Sequence, residues 1–199
     1  MIDTLMDNVE KARKSSIMSK LSLTKKNFAL VTLHRPSNVD SKESLRNIFT
    51  ALNKIQKKIP VIFPIHPRTR KNLKRFFSKQ ELLKAPQLKL LEPLGYLDFL
   101  NLMMHAKLVM TDSGGIQEET TVLGVPCLTI RETTERPITI TEGTNILTGM
   151  NKNRILRESQ KILQGKQKKG RCPRYWDGKA AERIVKNLLR LKKEGRLLR

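Results

Sequence analysis

The chain has 199 residues, of which 38% are hydrophobic; 40 are lysine or arginine against 18 aspartate or glutamate, a formal net charge of +22. That length fits one domain or one large half of a two-domain protein, and the hydrophobic content supports a core and excludes bulk disorder. No apolar run approaches the roughly 20 residues of a transmembrane helix, and residues 1–16 lack an apolar secretory segment, so we predict a cytoplasmic protein without a membrane span.

The excess of positive charge first suggests a polyanionic partner such as nucleic acid. The lysines are spread along the chain and only 5% of residues are aromatic, so we do not predict specific nucleic-acid binding. Cys127 lies in the apolar run "VPCLTI", which predicts a buried free thiol and is typical of a reducing compartment.

Strand and helix patterns alternate along the chain. The predicted strands and helices, in order, are strand 28–34, helix 41–58, strand 61–66, a helix from Pro67, strand 88–93, helix 96–106, strand 107–112, helix 114–124, strand 126–130, strand 144–149, and helices 151–163 and 178–195. Asp40 and Glu43 are placed like a capping box for helix 41–58. The alternation predicts an α/β fold with a parallel doubly wound sheet, a linker helix at 1–24 and a Rossmann-like domain at 25–199 that ends in an amphipathic helix.

Polar residues follow the predicted strands, where such sheets bind ligands at their carboxyl ends. In "TDSGGIQEET" (111–120), Ser113 is placed as a helix N-cap, and Gly114 and Gly115 leave the first turn without side chains. A bare helix start attracts anions, phosphate above all. A tight turn with close packing is the structural alternative.

Two glutamates follow the glycines. A carboxylate three or four residues beyond Gly115 lies on the glycine face of the helix, where it can accept two hydrogen bonds from a vicinal diol. Phosphate at the helix start and a ribose diol one turn further indicate a nucleoside diphosphate. Periodicity does not distinguish Glu118 from Glu119.

Histidines and arginines complete the set of candidates. His34 and Arg35 directly follow a strand, where the histidine fits a catalytic role and the arginine can neutralise a departing diphosphate. His66 has the same placement and fits a second-site role or a structural one at the helix start. Arg131 and Arg136 can either reach phosphate or pair with nearby glutamates.

Seven stretches in this order resemble the non-hydrolysing UDP-N-acetylglucosamine 2-epimerases: "LVTLHRPSNVD", "FPIHPRT", "LEPLGYLDFLNLM", "TDSGGIQEET", "LGVPCLTIRETTERP", "EGTNILTG" and "WDGKAAERI". They cover about residues 27–187. The resemblance implies half of a GT-B-type fold, in which two Rossmann-like domains hold the sugar nucleotide between them. It also implies interconversion of UDP-GlcNAc and UDP-ManNAc, precursors of cell-surface polysaccharides, by elimination and re-addition of UDP.

The resemblance assigns roles residue by residue. His34 is implied to help UDP leave, Glu119 to bind the ribose, and Arg136 to contact the substrate. The implied diphosphate and base contacts are Ser113, Gly114, Gly115, Phe99 and Leu94. Ile138 stands where many relatives have glutamate, which affects the polar contacts of that loop. No metal or other cofactor is implied.

Only the carboxyl-terminal half of the family is resembled, and the family's acidic catalytic residues belong to the other half. We therefore predict that the chain binds UDP or a UDP-sugar and is inactive alone. A separate N-terminal domain chain and a homodimer stay open as partners. Alternative functions are the donor-binding domain of a GT-B glycosyltransferase and a non-catalytic basic orphan domain.

Overall fold

The computed structural model describes residues 1–196, apart from the side chains of Lys79 and Leu83, so the end of the predicted domain 25–199 lies outside the described residues. The strands are β1 (Ala29–Thr32), β2 (Val61–Pro64), β3 (Leu88–Leu91), β4 (Leu108–Thr111), β5 (Cys127–Thr129) and β6 (Asn145–Leu147). The helices are α1 (Ile2–Arg13), α2 (Ile17–Lys20), α3 (Pro36–Val39), α4 (Lys42–Ile55), α5 (Pro67–Phe76), α6 (Lys79–Leu83), α7 (Tyr96–His105), α8 (Gly114–Val122), α9 (Pro137–Thr141), α10 (Lys152–Leu163) and α11 (Ala180–Lys193). Within that described part of the chain, no helix has the length and apolarity to cross a bilayer.

All six strands form one parallel sheet in the order β3-β2-β1-β4-β5-β6. This confirms the predicted doubly wound fold. The chain first builds outward from β1 through β2 to β3, then returns to pair β4 with the other side of β1. The strand order therefore reverses between β1 and β4, and a crevice at such a reversal is where these sheets bind ligands. Thr32 pairs with Thr111, so the carboxyl ends of the two strands lie level there.

The core has two layers because successive residues of a strand point to opposite faces of the sheet. Ala29 and Val31 of β1 pack into one cluster, with α4 and α10, and Leu30 packs into the other. The second cluster also contains Leu5 and Ala12 of α1, both fully buried. Residues of the predicted linker 1–24 thus pack against the sheet domain, while the division at residue 24 stays a prediction.

The start of α4 differs from the predicted capping box. Ser41 is the N-cap, and its hydroxyl accepts a hydrogen bond from Ser44 N at 3.2 Å. Asp40 instead accepts from Arg68 Nε at 2.8 Å and from Asn72 Nδ2 at 3.0 Å. The prediction with Asp40 and Glu43 was wrong because α5, distant in sequence, supplies stronger partners for that carboxylate.

Cys127 is a buried free thiol, as predicted. Burial raises the pKa of this thiol to about 12. Thiolate is the reactive form of cysteine, so Cys127 is a packing residue rather than a nucleophile.

Candidate functional site

The start of α8 lies at the carboxyl end of β4, beside the point where the strand order reverses. Ser113 occupies the N-cap position, but its hydroxyl makes no capping hydrogen bond. A Cβ added to Gly114 would meet no described atom within 4 Å. The helix start is therefore open at Gly114, as an anion site at a helix N-terminus requires.

A cavity of about 440 Å³ opens beside this helix start. It is lined by Met1, Thr4, Tyr96, Phe99, Ser113, Gly115, Ile116 and Glu119. Four residues predicted from sequence to bind one ligand, drawn from α7 and α8, thus share one cavity. A larger cavity of about 590 Å³ lies at the other end of α7, near His105, and contains none of the predicted site residues.

Gly115 lies under the side chain of Met1. A Cβ added to Gly115 would lie 2.8 Å from Met1 Sδ, closer than real contacts allow. Met1 is 60% exposed, so its thioether can move aside at little cost.

The structure gives Glu118 and Glu119, which helical periodicity could not distinguish, different environments. Glu119 is buried at the cavity wall and accepts a hydrogen bond from Tyr96 Oη at 2.8 Å. Burial raises the pKa of the Glu119 carboxyl, and the hydrogen bond from Tyr96 opposes that rise. Glu118 points elsewhere and pairs with Arg136, with 2.5 Å between Arg136 Nε and Glu118 Oε1.

Asp112 organises the residues that follow β1. Its carboxylate is fully buried and accepts from the backbone N–H groups of His34 at 3.0 Å and Arg35 at 2.9 Å. It also accepts from Asn38 Nδ2 at 3.0 Å, and its Oδ1 lies 3.1 Å from His34 Nδ1. An ionised carboxylate only accepts hydrogen bonds, so Nδ1 carries the proton and Nε2 of neutral His34 is left as an acceptor.

His66 lies close to His34 but has a structural role as well. It is the N-cap of α5, and its Nδ1 accepts from Arg68 N at 3.2 Å. The rings of the two histidines are 6.0 Å apart between centroids. The helix-start role that the sequence left open is therefore present, and the second-site role stays a prediction.

The loop after β5 brings arginines to the same edge of the sheet. Arg131 forms a bidentate pair with Glu135, at 2.5 and 2.6 Å, and Arg35 Nη2 lies 3.6 Å from the same carboxylate. Hydrogen bonds from Arg131 are the main cause that lowers the pKa of Glu135 to about 2. Thr134 Oγ1 donates to Gln117 Oε1 at 2.6 Å and ties this loop to α8.

Six predicted site residues do not line the 440 Å³ cavity: His34, Arg35, His66, Leu94, Gly114 and Arg136. Leu94 packs against the core cluster on that face of the sheet, and Arg136 is held by Glu118 at the start of α9. Ile138 follows in the first turn of α9, where the polar contacts of the loop come from Thr134 and Glu135 instead. Sequence reasoning assigned no role to Tyr96 or Asp112, although Asp112 lies in the stretch it singled out.

Comparisons with known proteins agree with this geometry. The family described as UDP-N-acetylglucosamine 2-epimerase matches residues 1–189. The UDP-N-acetylglucosamine 2-epimerase of Methanocaldococcus jannaschii is 45% identical over 163 residues, which is 81% of this chain and 44% of the relative. The UDP-2,3-diacetamido-2,3-dideoxy-D-glucuronate 2-epimerase of Pseudomonas aeruginosa is 39% identical over 82% of this chain and 45% of its own length.

A solved structure gives the same match in three dimensions. The crystal structure of the M. jannaschii UDP-GlcNAc 2-epimerase in complex with UDP-GlcNAc and UDP superposes with a TM-score of 0.80 at 40% identity, covering 95% of this chain and 52% of that one. The chain thus spans about half the length of the relatives it matches. The resemblance found in the sequence is confirmed, and the chain belongs to the UDP-N-acetylglucosamine 2-epimerase family.

Proposed function

We propose that this chain is the nucleotide-binding half of a UDP-N-acetylglucosamine 2-epimerase, which interconverts UDP-GlcNAc and UDP-ManNAc when an amino-terminal domain completes it. The observation that carries the proposal is the single cavity that unites Phe99, Ser113, Gly115 and Glu119. Its volume of about 440 Å³ falls in the usual range for small-molecule sites.

Each part of a UDP molecule has a matching group in this proposal. The diphosphate lies at the start of α8, where Gly114 and Gly115 expose the backbone N–H groups and the positive helix end. The ribose diol donates to Glu119, one turn further along the helix, and Tyr96 Oη holds that carboxylate in place. The uracil lies against the ring of Phe99.

The epimerase function is favoured over the donor-binding domain of a glycosyltransferase and over a non-catalytic orphan domain. The relatives with 39–45% identity are named as 2-epimerases of UDP-sugars. Their names differ in the sugar and share the UDP, which is the part of the substrate that this half is proposed to bind. The proposed compartment is the cytoplasm, in line with the free thiols of Cys127 and Cys172.

The chain alone should bind UDP weakly, and better than ADP. Because Glu119 supplies the acceptor for the ribose diol, Glu119→Ala should weaken UDP binding by about 1–3 kcal/mol, or roughly 5- to 150-fold. Isothermal titration calorimetry on the purified chain measures both effects.

Glu118→Ala is the matched control, since it removes a neighbouring carboxylate of the same helix that pairs with Arg136 instead. It should change UDP affinity much less than Glu119→Ala. A folded chain with no measurable UDP binding at millimolar concentration would refute the proposed site. Equal losses in the two variants would refute the role of Glu119.

Replacing Gly115 with alanine should affect UDP binding and thermal stability differently. Gly115→Ala should leave the melting temperature unchanged or slightly raised, because Met1 can move away and alanine favours a helix by up to about 1 kcal/mol over glycine. The same methyl group should obstruct the phosphate and lower UDP affinity at least tenfold. Thermal unfolding and calorimetry on one sample measure the two quantities, and an alanine variant with full UDP affinity would contradict the phosphate position.

A further inference from the structure

A groove lies at the amino ends of the strands, on the opposite edge of the sheet from the proposed UDP cavity. It consists of two cavities, of about 400 and 190 Å³, which share Lys58, Gln160 and Leu163 in their lining. The shared residues make the two cavities contiguous, so one ligand can occupy both. We call them together the α4–α10 groove, because residues from the ends of these two helices line it.

The larger cavity is lined by hydrogen-bond donors and carries only positive charge. Lys26, Lys58 and Lys107, which precede β1, β2 and β4, are its charged residues, and Asn27, Gln160 and Gln164 add neutral amides. Within the described part of the chain, none of these three lysines has a carboxylate within 4.0 Å; the one lysine with such a partner there is Lys161. Three cations around one concave surface attract an anion.

The ammonium group of Lys26 is held in place by the protein itself. It donates to the backbone oxygens of Met104 and Ala106, both at 3.1 Å, and has a third hydrogen left for a ligand. Burial lowers the pKa of Lys26, and the nearby charge of Lys107 lowers it further. An anion between the two ammonium groups would relieve their repulsion.

Three helix ends beside the groove offset part of its positive charge. Helices α4, α7 and α10 have their carboxyl-terminal ends at this edge of the sheet. Each such end carries about half a negative charge, so the three ends leave an excess of about 1.5 positive charges from the three lysines. A phosphate monoester carries about −1.5 to −2 at pH 7 and matches this excess better than a single carboxylate does.

The smaller cavity adds an apolar wall to the groove. Ile55, Leu156 and Leu163 line it, between α4 and α10. Ser159 lies in the same lining, is 1% exposed, and its hydroxyl has no hydrogen-bond partner among the described residues. A buried polar group without a partner costs free energy, and an ester oxygen of a ligand could supply that partner. The groove therefore suits a ligand with an anionic end and an apolar end.

We propose that the α4–α10 groove binds a phosphate monoester with a short apolar substituent. The phosphate lies between Lys26, Lys58 and Lys107, and the apolar group lies against Ile55 and Leu163. The groove shares no lining residue with the proposed UDP cavity, so this inference does not rest on the proposed function.

Isothermal titration calorimetry of the 199-residue chain with n-hexyl phosphate tests the proposal. The chain should bind one equivalent, at least tenfold more tightly than methyl phosphate or inorganic phosphate, because the hexyl chain buries methylene groups that these anions lack. Lys58→Gln combined with Lys107→Gln should weaken binding at least tenfold. Lys57→Gln is the matched control, since Lys57 is exposed next to Lys58 but does not line the groove, and it should change affinity less than twofold.

The double variant should keep the melting temperature of the unchanged chain, because the ammonium groups of Lys58 and Lys107 donate no hydrogen bond to the described residues. Four results would overturn the proposal. The first is no binding of n-hexyl phosphate, and the second is binding no tighter than that of inorganic phosphate. The third is an equal loss in Lys57→Gln, which would mean diffuse attraction to the net charge. The fourth is tighter binding of an oligothymidylate that depends on Lys58 and Lys107, which would assign the groove to a nucleic-acid backbone.

Discussion

Replacing Asp112 with alanine should lower the free energy of unfolding by about 3–5 kcal/mol, since several donors lose their acceptor at a cost of about 1–3 kcal/mol for each buried group left unsatisfied. The carboxylate is fully buried and accepts hydrogen bonds from two backbone N–H groups and from the Asn38 side chain, with His34 Nδ1 at 3.1 Å. Alanine leaves these donors inside the protein without an acceptor, and each orphaned group costs free energy. Urea denaturation followed by circular dichroism measures the loss.

Asp40→Ala is the comparison variant. Asp40 also joins two elements, through Arg68 and Asn72, but at an exposed position where water can replace the lost contacts. Its loss of stability should be far smaller. Should Asp112→Ala prove as stable as Asp40→Ala, the Asp112 network would have no special role in holding β1 to β4.

The same network suits the catalytic role predicted for His34. Asp112 fixes the proton on Nδ1 and leaves Nε2 as the nitrogen that would take or give a proton in the proposed reaction. Asp112→Asn retains the shape and lets the tautomer change. Nitrogen-15 NMR of the ring should report the Nδ1–H tautomer of neutral His34 in the wild-type chain and a mixture in Asp112→Asn. A wild-type ring protonated mainly on Nε2 would rule out Asp112 as the positioning residue.

Much of the fold could be predicted from the sequence because its signals are local. Runs such as "FALVTLH" and the helical period of 41–58 locate strands and helices, and the structure places β1 and α4 within them. The strand order could not be predicted, since pairing β1 with β4 depends on packing across about 80 residues. Helices α3, α6 and α9 were not predicted because four or five residues are too short to show a period, and two helices, α1 and α2, lie within the predicted linker helix 1–24.

For the site too, features set by neighbouring residues could be predicted from the sequence, and contacts between distant residues could not. Ser113 and the two glycines are enough to predict an anion site from sequence, because their effect is confined to one helix turn. The choice of Glu119 over Glu118 as the ribose ligand depends on contacts with residues distant in sequence. Tyr96 on α7 bonds to Glu119, and Arg136 before α9 pairs with Glu118. Asp112 lies 78 residues from His34. Its position after a strand placed it near the predicted ligand site, but the sequence did not indicate which residues it contacts.

The isolated chain should not interconvert UDP-GlcNAc and UDP-ManNAc. In the proposed reaction the bond between the sugar and UDP breaks, UDP leaves with the electron pair, and a base takes the proton from carbon 2. Both an acid and a base must stand at the sugar. This chain supplies His34, Arg35 and the α8 helix start on one wall of the site. Its relatives are about twice as long, and the resemblance assigns their acidic catalytic residues to the other half.

Proton exchange at carbon 2 of UDP-GlcNAc in deuterated water, followed by NMR, is the measurement. The 199-residue chain should exchange no faster than buffer. The fusion with the amino-terminal half of the M. jannaschii relative should exchange, and His34→Ala in that fusion should slow it by roughly 10²- to 10⁴-fold, the range for losing a general acid or base. UDP should still bind to the His34→Ala fusion, because Glu119 and the α8 helix start are unchanged.

The measurement on the 199-residue chain and the measurement on the fusion test different claims. In the proposed elimination one group assists the departing UDP and another takes the proton from carbon 2, and His34 is proposed for the first role. Exchange by the 199-residue chain at rates far above buffer, abolished by His34→Ala, would therefore place the base within residues 1–199 and overturn the requirement for the other half. Exchange by the fusion that is indifferent to His34→Ala would leave the requirement intact and remove His34 from the chemistry.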